Sequence, residues 1–220
     1  MITTPELINA LVTNTAPVRR VRPLARAWIW LMIAALVLVL LVISQGLRPD
    51  LVDRLQRPVF GISLGASLLT GILAAVASSF LSLPDRSRLW SLLPISALAL
   101  WLSTTGYGCI VNWVGLVPGS VTLGEVARCF TTLLLTSVPL SVALLVMLRH
   151  GALVRPGAVA LCGGLAVAAI TASALTLFHN LDATVMILIW NLGTAALIVG
   201  LAGIFGRRMF RMVRPHAIAG

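Results

Sequence analysis

Cys109 and Cys129 are two of only three cysteines in the chain. Between them lie Gly115, Pro118, Gly119 and Ser120, the residue types that punctuate loops. Further along, His179 and Asp182 occupy a short polar break between two apolar runs. Thr122 and Glu125 have the spacing of a capping box, which starts a helix just ahead of Cys129 and sets it at a depth like that of Cys109. Thiolate, imidazole and carboxylate together form a donor set suited to soft or borderline metals, with Cys109 and Cys129 as the first ligands. The same two thiols are a candidate disulfide, and closing a loop of about twenty residues contributes roughly 3 kcal/mol in the chain-entropy picture. A third reading makes both of them inert, buried small hydrophobes. Spacing alone leaves the three open. Arg128 beside Cys129 favours a thiolate there, and Glu125 one turn back partly offsets it. Cys162, next to Gly163 and Gly164 inside an apolar run, reads as packing.

Other chemistry finds no constellation. The histidines, His150, His179 and His216, are scattered, and no Ser–His–Asp set or phosphate-cradling glycine loop accompanies them. No charged residue or histidine lies near the middle of any long apolar run, where ion-coupled transporters place one. Asn191 is the strongest polar group at that depth and reads as a helix–helix hydrogen bond. The expectation is a protein that is not an enzyme and has no resident cofactor, the outer cysteines being at most a transient heavy-metal site. A small transporter or channel, or a structural membrane subunit, is the alternative.

The elements that position these residues follow from composition. The chain of 220 residues is 59% hydrophobic and 10% charged, with a mean hydropathy of +1.04, outside the range of water-soluble domains. All 16 basic residues are arginine, and they collect at the ends of apolar runs. The net charge of +10 therefore reads as membrane flanks rather than as a nucleic-acid surface. Six runs are free of charge: 27–44, 58–83, 89–111, 129–148, 157–178 and 183–205. The shortest, at 1.5 Å per residue, just crosses a hydrocarbon core of about 30 Å. The fold class expected is all-α, a bundle of six transmembrane helices in one domain over 27–206. A cytoplasmic N-terminal segment, 1–26, precedes it and a basic tail, 207–220, follows.

With six spans, Arg19, Arg20, Arg22, Arg26, Arg86, Arg88, Arg149, Arg155, Arg207, Arg208, Arg211 and Arg214 share one side. Only Arg48, Arg54, Arg57 and Arg128 are on the other. That bias puts both termini in the cytoplasm and the loop between Cys109 and Cys129 outside, in a disulfide-permissive compartment. Thr4, Pro5 and Glu6 make a helix start, and Leu7, Ile8 and Leu11 then share a face. So short a helix is marginal alone and needs a partner. The basic tail has the make-up of an interfacial helix on anionic lipid. Gly61 and Gly65 form a G-x-x-x-G that suggests close helix packing, and Pro139 is placed to kink the fourth span.

Over nearly its whole length the chain resembles the NrsF-like membrane anti-sigma factors. The resemblance rests on LINALVTNTAPVRRVRP before the first run, GLRPDL (Gly46–Leu51) after it, and LTGILAA (Leu69–Ala75). GYGC (Gly106–Cys109), the lone Cys129 and Phe178-His179 with Asp182 complete it, while Asn180 stands where proline is typical. The resemblance implies a bacterial inner-membrane protein that holds an extracytoplasmic-function sigma factor inactive. It also implies that Cys109 and Cys129 sense metal or oxidative stress, to which the residue reading adds His179 and Asp182 as further sensing candidates. Leu7, Ile8 and Leu11 are then the sigma-binding face. The expected partners are that sigma factor and the lipid bilayer.

Overall fold

The computed structural model of the chain describes residues 4–13, 22–83, 85–112, 123–148 and 156–178. Every regular element among them is helical: α1 (Thr4–Thr13), α2 (Pro23–Gln45), α3 (Leu51–Leu55), α4 (Pro58–Leu81), α5 (Ile95–Asn112), α6 (Leu123–Leu148) and α7 (Pro156–Phe178). Five helical stretches among them are long and apolar enough to cross a membrane: Pro23–Gln45, Pro58–Leu81, Arg88–Tyr107, Phe130–Leu148 and Gly157–Phe178. The sixth expected run, 183–205, and the basic tail lie outside the described residues.

Proline sets several boundaries. α2 starts at Pro23, not at Ala27, because proline in the first turn lacks only a donor that the turn leaves unpaired anyway. Arg26 thereby becomes part of the helix. α4 starts in the same way at Pro58. The third apolar run is not one continuous helix. Arg88–Leu92 forms a 3-10 turn, and α5 begins only at Ile95, after Pro94. Trp90 of that turn stacks on Phe80 at the end of α4, with ring centroids 4.1 Å apart, and the Arg86 guanidinium lies 5.7 Å from the Phe80 centroid. This closes the connection over the arginine-rich end of α4.

The centre of the bundle is the seam between α4 and α7, with α5 on α4, and α2 and α6 across the other side. At Gly71 a Cβ would sit 2.9 Å from Ile170 Cδ1, so this glycine lets the two helices meet. The hydroxyls of Ser67 and Ser173 share a hydrogen bond of 2.8 Å across the same seam. Trp30 of α2 is 1% exposed and packs in a cluster with Ala74 and Ala75 of α4, Leu140 of α6 and Ala166, Val167 and Ile170 of α7. Gly61 and Gly65 do not mark a seam among the described residues. A Cβ at Gly65 meets nothing within 4 Å, and one at Gly61 meets only the Leu55 carbonyl at 3.8 Å.

Candidate functional site

The cysteines of the central loop are carried by helix ends. Cys109 lies in the last turn of α5 and Cys129 in the second turn of α6, at the end of the bundle where α2 finishes and α7 stops. Their side chains lie outside the described residues, as do His179 and Asp182. α5 packs chiefly on α4, whereas α6 packs on α7 and α2. Chain connectivity therefore brings Cys109 and Cys129 to one end of the bundle from differently packed helices. Cys162 is buried within α7 as a free thiol, in a cluster with Ala77, Leu81, Leu148 and Val159.

That end holds groups the pattern-based reading passed over. Gly46 takes φ 73° and caps α2, its N–H donating to the Val42 carbonyl at 3.0 Å. The turn so formed folds Arg48 inward until it is 6% exposed. Arg48 pairs with Asp50 through both Nε and Nη2, the latter at 2.9 Å, and Arg54 Nε reaches the same carboxylate at 2.9 Å. These charge-assisted bonds, that from Arg48 first, hold the Asp50 carboxyl well below the usual carboxylate range. The Arg48 N–H also donates to the Leu177 carbonyl at 3.3 Å, tying the loop after α2 to the last turn of α7, next to His179 in sequence. One helix over, Thr132 Oγ1 donates to Gln45 Oε1 at 3.0 Å. Thr132 is one turn beyond Cys129 on α6. The available signal was Arg48 and Asp50 of GLRPDL with Arg54 beyond it, spaced i, i+2 and i+6 directly after an apolar run, on the side poor in arginine.

Several hydroxyls within the spans are occupied locally, while those of Thr105 and Thr171 are buried without a partner among the described residues. Thr70 donates to the Ala66 carbonyl at 2.7 Å, Ser79 to Ala75 at 3.0 Å, and Thr136 to Thr132 at 2.6 Å. Back-bonding of this kind satisfies a polar group without lining a path.

At the arginine-rich end, α1 forms over Thr4–Thr13 as its start signal dictates. Glu6, Asn9 and Thr13 are exposed, and helical register puts Leu7, Ile8 and Leu11 on the opposite face. The side chains of those three lie outside the described residues. Among the described residues α1 makes no extended seam with another helix.

No curated protein and no solved structure matches the chain. The family model NrsF, described as negative regulator of sigma F, matches residues 11–212. That match takes in α2 to α7 and both cysteine-bearing helix ends, and the chain belongs to the NrsF family of negative regulators of sigma F.

Proposed function

We propose that this chain is an inner-membrane anti-sigma factor with six spans and cytoplasmic termini, holding an extracytoplasmic-function sigma factor and releasing it on a periplasmic metal or redox signal. The observation that carries the reading is the family match over 11–212. Three further features support it. With six spans, the twelve-to-four arginine asymmetry favours cytoplasmic termini. Helical register puts Leu7, Ile8 and Leu11 on one face of α1, which makes no extended seam with another helix among the described residues, as suits a segment that docks on a partner. Cys109 and Cys129 lie at the arginine-poor end, which the charge bias favours as the periplasmic one, where thiols meet oxidants and soft metals.

Release requires two states of the bundle with different affinity for the sigma factor, and freeing most of the bound factor takes about 3–5 kcal/mol of difference. The test is binding of a purified sigma F-type factor to the detergent-solubilised full chain. Wild type should bind, and the double variant Leu7→Asp, Leu11→Asp should lose at least about tenfold in affinity, since each buried apolar side chain contributes roughly 1.5–3 kcal/mol. Unchanged binding by the variant would move the contact to the cytoplasmic loops at Arg86 or Arg149.

A further inference from the structure

α2 is the spanning element joined in sequence to α1, through residues 14–22. Much of its surface is free of the described helices: Trp28, Met32, Leu36 and Ile43 are all exposed. In lipid such a face gains nothing by being covered, so α2 is held by close fit and by hydrogen bonds to its neighbours. Two of those bonds go to α6. Near the arginine-poor end, Thr132 Oγ1 donates to Gln45 Oε1 at 3.0 Å, and Thr132 is fully buried. Deeper in the bundle, Trp30 Nε1 donates to the Leu140 carbonyl at 3.1 Å.

The two anchor points on α6 flank Pro139. Proline removes the donor that the Leu135 carbonyl would use, so α6 bends there more readily than elsewhere along its length. The outer half of α6 carries Cys129, which register places one turn from Thr132 on the same side of the helix. The inner half carries Leu140, on which Trp30 rests. A tilt of the outer half about Pro139 loads the Gln45–Thr132 bond first and the Trp30–Leu140 bond second.

Resting on the reading given under Proposed function, we propose that the α2–α6 seam is the transmission device of this protein. Its two hydrogen bonds are intact in the state that holds the sigma factor. They are exchanged in the state that releases it, and α2 then shifts along with the N-terminal segment it leads from. In this proposal the seam is the two-state element that switching between packed helices requires, with its bonds made in one state and exchanged in the other.

Thr132→Val removes one donor while keeping nearly the same shape, and Trp30→Phe removes the other at the cost of a cavity where the indole stood. Ser67→Ala removes the Ser67–Ser173 bond in the α4–α7 seam and serves as the structural control. Affinity for a purified sigma F-type factor is measured on the full chain in detergent, beside thermal stability. Thr132→Val and Trp30→Phe should each weaken binding by about three- to tenfold, the range one interhelical bond in a membrane supports. Their combination should fall short of the product of the two. Ser67→Ala should lower stability by a similar amount and leave affinity unchanged. If wild type binds and both seam variants bind equally well, or if Ser67→Ala weakens binding as much as they do, the device is not this seam. Failure of wild type to bind would remove the anti-sigma reading and the device with it. Should Trp30→Phe not fold, Thr132→Val decides alone.

Discussion

Asp50 accepts hydrogen bonds from two arginines, one of them buried, and this sets a sign for the pH response. The folded carboxyl titrates below its ordinary range, chiefly because of the Arg48 bond. Its stabilising effect is therefore fully present above the unfolded value near 4 and is lost only as pH falls toward the lower folded value. Between pH 7 and 5 the thermal stability of the purified protein should not change through this group. Below about pH 4 it should fall, and Asp50→Asn should remove that part of the acid slope while lowering stability at neutral pH. An acid slope of equal size in Asp50→Asn would mean that Asp50 is not the group responsible. The cysteines make a separate prediction. If Cys109 and Cys129 act as one unit, Cys109→Ser, Cys129→Ser and the double variant should give one phenotype: sigma binding retained, response to cadmium or an oxidant abolished. Sigma-dependent reporter output measures this, and normal induction in all three would leave His179 and Asp182 as the next candidates for the input. Residue types alone pointed to the soft donors, since cysteine is rare in the chain and its place in a loop is legible from glycine and proline. Arg48 was not legible in the same way. Its burial depends on the turn at Gly46 and on the end of α7, over a hundred residues later, and no local spacing contains that.

Helix ends follow chemistry the sequence displays, while helix seams follow a fit it does not. Pro23, Pro58 and Pro156 each begin a helix, and the run of apolar residues behind each fixes the type of element. Pro94 shows the limit of an apolar-run reading: hydrophobicity continues from Leu89 to Val111, yet a 3-10 turn and Phe80–Trp90 stacking occupy its first part. Seams depend on which small residue meets which large one. The G-x-x-x-G of Gly61 and Gly65 has the familiar spacing but no close neighbour among the described residues, whereas Gly71 stands against Ile170. Gly71→Leu should therefore force α4 and α7 apart. The cost expected for overpacking is roughly 1–3 kcal/mol, or more if the side chain finds no outlet. Gly65→Leu, with a Cβ meeting nothing within 4 Å, should be near neutral. Thermal unfolding of the two variants in detergent checks the contrast, and equal loss at both positions would show that Gly71 does not set the seam.

At the scale of the whole chain, the number of spans decides on which side of the membrane everything else lies. Five stretches among the described residues are long and apolar enough to cross, and the run 183–205 is uncharged over a further span's length. With five spans the basic tail, including Arg207, Arg208, Arg211 and Arg214, would face the side opposite to Arg19, Arg20, Arg22 and Arg26. With six, both clusters share a side, and the asymmetry of twelve arginines to four follows. Short flanks rich in arginine resist translocation, so the six-span arrangement is the one the charges favour. Reporter fusions separate the two counts. A fusion after Gly119, beyond three spans, should report the periplasm, and one after Arg86, beyond two, the cytoplasm. A fusion after Ala217 then carries the decision: a cytoplasmic signal requires an even number of crossings and a sixth span in 183–205. A periplasmic signal at Ala217 would leave five spans and put the basic tail outside. A cytoplasmic signal after Gly119 would invert the bundle, place Cys109 and Cys129 in a reducing compartment, and end the case for periplasmic sensing together with that for α1 as the sigma-factor contact.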